Sequence, residues 1–341
     1  MKAAVLQDYY KVGIEEVPEP EPAPNEVKIR VVATGICGSD MHAYKGTHPF
    51  RRPPSIQGHE LAGDIVSVGA EVTRFKVGDR VTIDPQRVCG VCDDCLAGFP
   101  NCCANKVMLG VPGWTGSFGQ YIVSPESQLY LLPDDMSYEE GSMVEPLAVG
   151  VHSVRQGNVK PGDSVLILGG GTIGLSALAA AIDAGATTTI LTDAFDFNLK
   201  IARDFGATAT VNVREKDVNE VVREVTGGKG VDVAIVAVGF GAVMNQGIAA
   251  VKKHGVVVLV GLFHEPPTIQ DSFAIVGGER VIKGSQTYAP ADVQRALDLI
   301  ASRKVDVKAM ITHRFPIDEA AHAFELVDRR LEDCVKVILN H

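Results

Sequence analysis

Positive charge is in short supply in this chain. Its 341 residues carry 32 Lys and Arg against 42 Asp and Glu, a formal net charge of −10. A nucleic-acid surface needs the opposite balance, so no nucleic-acid partner is expected. No fixed-period repeat is visible, which excludes a solenoid. A basic, apolar leader is missing too. Met1, Lys2, Ala3, Ala4 and Val5 read directly as the start of a strand, and the expected location is the cytoplasm, where thiols stay reduced. The nearest thing to a membrane span is 165–182. Three consecutive glycines interrupt it and Asp163 and Asp183 flank it, so no membrane partner is expected either. What remains is an ordinary globular composition, 46% hydrophobic and 22% charged, with length enough for two domains.

Glycine is plentiful, and three of the 35 are informatively placed. The apolar run 164–168 meets Gly169, Gly170 and Gly171, and a run of small residues follows over 173–184. That pattern predicts a buried parallel strand, a tight turn and a helix. Gly169, Gly171 and Gly174 fit G-x-G-x-x-G, with Thr172 and Ile173 inside the motif. The first glycine allows the turn, the second lets a pyrophosphate approach the backbone, and the third lets helix pack on strand. The phosphates would sit on free N–H groups at the helix N-terminus. A second apolar run ends in Asp193, nineteen residues after Gly174. An acid there accepts hydrogen bonds from the adenosine ribose and repels a 2′-phosphate, which predicts NAD as cofactor rather than NADP.

Residues 1–150 read as β-rich, with alternating runs at 27–34, 63–68, 80–83 and 120–123 separated by turn clusters. The prolines of 18–24 make an extended connector. From 151 to 285 the rhythm becomes strand–helix, with strands expected at 164–168, 189–192, 209–213, 232–238, 256–260 and 281–284. Helices are expected at 173–184, 196–205, 217–225, 242–253 and 272–278. This alternation predicts an α/β, doubly wound parallel sheet. The tail predicts helices at 290–302 and 317–327 and strands at 310–315 and 335–339. The last strand is expected to rejoin the first domain, so that 1–150 is completed by 286–341 and 151–285 is inserted.

Seven cysteines are an odd number, and five lie between Cys89 and Cys103, a clustering that predicts metal rather than disulfides. Cys89, Cys92 and Cys95, followed by Cys103, can close a tetrahedron around Zn²⁺ with no open position, which makes a structural site. Cys102 adjoins Cys103 and competes with it as the fourth ligand. A DNA-binding zinc finger is excluded, because no histidine pair follows and the chain is acidic. A second set is dispersed: Cys37, His59 and Glu145. Thiolate, imidazole and carboxylate with a fourth position open make a catalytic arrangement, in which the ion lowers the pKa of an alcohol. Each residue also has a plainer reading. Cys37 by itself is a small buried hydrophobe, and His59 with Glu60 is a turn. H-E-x-x-H is excluded, since Gly63 stands where a second histidine belongs.

Taken together these residues resemble the zinc-dependent medium-chain alcohol and polyol dehydrogenases. The likeness spans Cys37, Gly38, Ser39 and Asp40; Gly58, His59 and Glu60; the four-cysteine lobe; Glu145 and Pro146; Gly169 to Gly174; and Asp193. It implies a GroES-like β-rich catalytic domain plus a doubly wound Rossmann domain, with the active site in the cleft between them. It implies Cys37 and His59 as catalytic zinc ligands, Glu60 as a ligand or a carboxylate just behind one, and Glu145 at the zinc directly or through water. It implies Cys103 as the fourth lobe ligand. Ser39 would accept the alcohol proton and His42 pass it to solvent by way of the nicotinamide ribose, while Asp40 caps their helix. Near the cofactor it adds Ile173, Val260, Gly261, Leu262, Ser285 and Gln286. Asn198 stands where the threonine-dehydrogenase branch often has arginine, a departure from that branch. Tyr44, Lys45, His48, Phe50, Arg51, Arg52, Trp114 and Phe118 are expected around the substrate, with no role assigned to Arg51 and Arg52. The expected reaction is hydride transfer from a secondary alcohol, such as a polyol or sugar acid, to NAD, in a homo-oligomer (a tetramer or a dimer). Threonine or 2,3-butanediol is the alternative substrate, and a non-catalytic dinucleotide-binding protein is the alternative outside the class.

Overall fold

The computed structural model describes residues 1–263 and 265–341. It divides into two compact units, one of 1–145 with 289–341 and one of 146–288.

The second unit is built on a six-stranded sheet whose order is Ala209–Asn212, Thr188–Asp193, Ser164–Leu168, Val231–Val236, Val251–Leu259, Val281–Gly284. Every pairing is parallel. In sequence order that is 3-2-1-4-5-6, the doubly wound Rossmann arrangement. The central strand Ser164–Leu168 is buried from Val165 onward, which is why it reads as an unbroken apolar run. One expectation fails locally. The helix expected at 242–253 is observed as Gly241–Ala250, and the strand expected at 256–260 already begins at Val251. Val251 pairs with Val231, and the register then shifts so that Val256 pairs with Val233. His254 takes a left-handed φ of 62° inside this bulge, a backbone feature that helical periodicity cannot reveal.

The first unit has a seven-stranded sheet. Its path is Ile311–Pro316, Lys336–Asn340, Glu26–Gly35, Glu60–Val68, Arg80–Ile83, Leu129–Leu131, with Tyr121–Pro125 also pairing with Glu26–Gly35. Only the pairing of the two C-terminal strands is parallel. Ile338 lies opposite Gly35 on one side, and Gly35 opposite Glu60 on the other. Among the described residues two cores belong to this unit. Val27, Ile29, Leu61, Ile83 and Trp114 form one, and Tyr44, Phe118, Phe324 and Leu339 belong to the other. Among the described residues no helix is long and apolar enough to cross a membrane.

Candidate active site and cofactor site

Strand pairing assembles the dispersed residues. Glu26–Gly35 runs into Cys37, and Glu60–Val68 starts just after His59. Because Gly35 and Glu60 are partners, Cys37, His59 and Glu60 arrive together. One ligand atom from each lies within 4.8 Å of the others. Gly35 leaves room for the carboxylate where it stands, since a Cβ there would sit 2.0 Å from Glu60 Oε2. The helix Gly38–Tyr44 follows, with Asp40 Oδ2 accepting from Cys37 N at 3.0 Å to cap it. Asp40 also has a second role that sequence reasoning missed. Its Oδ1 faces Arg51 Nη1 at 2.8 Å and His59 Nδ1 at 3.6 Å.

Charge is tightly managed here. Burial alone would push the Asp40 carboxyl up, but His59, Arg51 and the Cys37 amide outweigh it and hold the group at about 2. Burial opposes a charged His59, yet Asp40 and Cys37 beside it keep the imidazole well above its ordinary range. His59 Nδ1 is buried without a hydrogen-bond partner. Lys336 Nζ donates to Glu60 Oε1 at 2.8 Å, to Glu60 Oε2 at 2.5 Å and to Ile36 O at 3.0 Å, with both side chains at most 3% exposed. Burial lowers the Lys336 ammonium, while Glu60, Cys37 and Glu145 more than restore it. Thiol, imidazole and carboxylate brought this close are a donor set that suits zinc. Glu145 is buried near Lys336 but is not in the three-residue group. A lone lysine inside the apolar run 335–339 was the signal that could have revealed the Glu60 partner.

Ser39 and His42 lie three residues apart on the helix Gly38–Tyr44, hence on one face. Both are half-buried, and His42 Nδ1 lies 3.2 Å from Thr47 Oγ1. The residues expected around the substrate divide differently. Tyr44 and Phe118 spend their rings on Phe324, with centroids 5.3 and 5.7 Å away, and Trp114 is in the other core with Arg87 stacked 4.1 Å over it. Lys45 pairs with Asp328 at 2.7 Å. Phe50 remains exposed. Arg51 is spent on Asp40, and Arg52 donates to the carbonyls of His48, Pro49 and Arg51. His48 is pushed down to about 4, by burial first and by Arg51, and its neutral Nδ1 accepts from Arg51 N at 3.1 Å.

The four cysteines of the lobe also meet. Cys89, Cys92, Cys95 and Cys103 each place a sulfur within 4.8 Å of the rest, and Cys102 is exposed outside the group. Backbone N–H groups of Val91 and Cys92 point at Cys89 and lower its thiol to about 6, while those of Cys95 and Ala104 lower the Cys92 thiol from its ordinary value. Cys95 is pushed up to about 12 by desolvation and by its cysteine neighbours. Backbone donors aimed at clustered thiolates fit a zinc tetrathiolate, whose negative charge they offset.

In the second unit the glycine motif occupies the C-terminal edge of the sheet. Gly169 has φ 107°, and a Cβ on Gly174 would lie 1.7 Å from Gly169 O. A Cβ on Gly171 would meet nothing within 4 Å, and Gly171 caps the helix Thr172–Asp183 with no side-chain bond. Open space at the N-terminus of a helix is what a pyrophosphate requires. Asp193 accepts from Gly170 N at 2.7 Å and Phe195 N at 2.9 Å, tying the two turns together. Val260, Gly261 and Leu262 follow the strand Val251–Leu259 at the same edge. Ser285, with its Oγ buried and unpartnered, and Gln286 follow Val281–Gly284. Asn198 is buried in the helix Asp196–Asp204.

Known proteins share this plan. The family description "Alcohol dehydrogenase GroES-like domain" matches residues 23–134, and "Zinc-binding dehydrogenase" matches 172–302. A sorbitol dehydrogenase of Bacillus subtilis is 37% identical over 99% of this chain and 97% of its own length. An L-idonate 5-dehydrogenase of Vitis vinifera is 38% identical over 94% of this chain and 89% of its own. A solved structure from Sinorhizobium meliloti 1021, described as a zinc-binding dehydrogenase bound to NADP, has a TM-score of 0.91 at 33% identity, covering 100% of this chain and 99% of that one. A GroES-like unit carrying the Cys37–His59–Glu60 group, a Rossmann unit and full-length likeness to such enzymes agree, and the chain belongs to the zinc-dependent alcohol dehydrogenase family.

Proposed function

We propose that this enzyme oxidises a secondary alcohol, a polyol or sugar acid, to the ketone with NAD. The observation that carries the reading is the meeting of Cys37, His59 and Glu60 within 4.8 Å. Cys37 and His59 would hold a zinc, with Glu60 behind or beside them and Glu145 close by. Bound there, zinc would supply the Lewis acidity that makes an alcohol proton removable at neutral pH, and NAD would supply the hydride acceptor. Ser39 accepts the proton, and His42, one turn on and braced by Thr47, hands it toward solvent. Lys336 holds both oxygens of Glu60. Asp193, Gly169, Gly171, Thr172, Ile173 and Gly174 would bind the adenosine and pyrophosphate, with Val260, Gly261, Leu262, Ser285 and Gln286 toward the nicotinamide. Cys89, Cys92, Cys95 and Cys103 would hold a second, structural zinc. Arg51 and Arg52 both have internal partners, which favours an uncharged polyol over a phosphorylated one.

The 1–150 segment with 286–341 is read as the catalytic domain and 151–285 as the cofactor domain. Cysteines gathered at metal sites and not paired as disulfides fit a reducing, cytoplasmic setting. Phe273 and Val276 are 78% and 74% exposed on the helix Ser272–Gly278 that leads into the edge strand Val281–Gly284, a surface that suits a second copy in a homo-oligomer.

An NADH-absorbance screen over polyols, sugar acids, diols and threonine tests the reading, with zinc counted in the same preparation. Turnover is expected with polyols or sugar acids and about two zinc per chain. Silence across the panel from fully metallated, NAD-binding protein would overturn it. Asp193→Gly is expected to shift the NAD-to-NADP ratio of kcat/KM by about tenfold or more toward NADP, the size of a lost charge-assisted hydrogen bond. An unchanged ratio removes Asp193 from the specificity argument.

A further inference from the structure

Arg51 has no assignment in the chemistry above, yet it touches two of its parts. Its side chain is 4% exposed and that of Asp40 is fully buried. Nη1 donates to Asp40 Oδ1 at 2.8 Å and lies 3.4 Å from Ser39 Oγ. Nη2 reaches Leu109 O at 3.5 Å. The Asp40 oxygen that Arg51 holds also receives Gly58 N at 3.4 Å and faces His59 Nδ1 at 3.6 Å. The other Asp40 oxygen is committed to the Cys37 amide. One guanidinium therefore contacts the hydroxyl of Ser39 and the carboxylate that faces the His59 ring. Arg51 Nε is buried with no partner.

We infer that Arg51 is a positioning residue, which fixes Asp40 against the His59 ring and occupies one lone pair of Ser39 Oγ. The inference rests on the reading that His59 holds zinc and Ser39 receives the proton. A carboxylate behind a ligand histidine sets its ring orientation, and losing such a partner costs about 10–100-fold in metal affinity or activity. Arg51 acts one step further out, through a single oxygen. A lysine at this position keeps one charged donor for Asp40 but loses the planar fork that also reaches Ser39 and Leu109.

The test compares Arg51→Met, Arg51→Lys and Asp40→Asn with the wild type in the full-length, metal-loaded protein. Zinc release to a chromogenic chelator and the visible absorption of cobalt-substituted protein are read beside the melting midpoint. Arg51→Met is expected to release the zinc at Cys37 and His59 about tenfold faster, to shift the cobalt bands and to leave release from the four-cysteine lobe unchanged. Arg51→Lys is expected to restore release but not the full activity. Arg51→Met added to Asp40→Asn should change release little further, because both act through one oxygen. Wild-type release and cobalt spectrum in Arg51→Met, with only a lower melting midpoint, would make Arg51 a loop staple and overturn the inference. Should Arg51→Met not fold, Arg51→Gln reads the same two signals, and wild-type values there overturn it as well. A wild-type protein that holds zinc in the lobe alone removes the parent reading, whereas two zinc ions with a silent Arg51→Met removes Arg51 only.

Discussion

The two cysteine-bearing clusters of the first unit are built on opposite principles. The lobe takes all four sulfurs from one stretch of 15 residues, 89–103, and three of its four cysteines are only half-buried. Its electrostatic support is local, being backbone N–H groups of its own loop. The Cys37–His59–Glu60 group draws on residues 22 and 23 positions apart and on Lys336 from the far end of the chain. Its support is a set of buried charges, with Asp40 behind His59 and Lys336 behind Glu60. A loop can close around an ion with little help from the fold. A reactive group needs side chains held from several strands, so its geometry depends on the whole sheet.

The sharpest way to break this comparison is to cut one sulfur from each cluster. Cys37→Ser is expected to lower kcat/KM by at least about a hundredfold, more than a change outside the ligand set costs. It should also remove one zinc and leave the melting midpoint nearly unchanged, because Lys336, Glu60 and the strand pairing remain. Cys95→Ser is expected to do the reverse. One zinc is again lost, but the cost falls on stability, roughly 2–4 kcal/mol, between an average point mutant and the full folding energy of a small zinc domain. Folded Cys95→Ser protein should keep its activity. Metal counts, calorimetry and kinetics on the two variants decide the matter, and identical profiles would erase the distinction between the clusters.

This contrast also explains what could be read in advance. The lobe was legible because its ligands sit at fixed short spacings, and the glycine turn with Asp193 was legible for the same reason. Cys37 and His59 were legible only as fragments. What joins them is the pairing of Gly35 with Glu60, and no local pattern encodes a strand register. Arg51 was visible as a charge but not as a partner, because the spacing from Asp40 to Arg51 follows no helical or strand period. The aromatic residues show what sequence leaves out for a related reason. The resemblance implied Tyr44, Trp114 and Phe118 as pocket walls, and it gave no sign that all three also pack into the cores of the first unit. The helix boundary at Ala250 failed because a bulge, not a cap, ends it.

The smallest expected effect concerns the root of the lobe, where the local rule is broken by one buried acid. Asp84 follows the strand Arg80–Ile83, and its Oδ1 accepts from Gln86 N at 3.2 Å and Gln86 Nε2 at 3.1 Å. Lys106 is the cation that acts on it, and Tyr130 is the other titratable neighbour. Burial dominates, and the carboxyl is raised from 3.8 to about 6. A raised folded pKa means that the protonated acid is the form the fold prefers. Its favourable contribution is full below 3.8 and is lost as pH rises through about 6, a change on the order of 3 kcal/mol at 1.36 kcal/mol per unit. Asp84→Asn keeps the acceptor for Gln86 and removes the charge. It is expected to raise the melting midpoint at pH 7.5 by a few degrees, about 1–2 kcal/mol after the new amide meets Lys106, and to change little at pH 4.5. The difference between variant and wild type is taken at each pH, so that zinc loss in acid affects both proteins alike. An equal shift at both pH values would mean that Asp84 acts through packing, and the root of the lobe would then be as free of buried charge as the lobe itself.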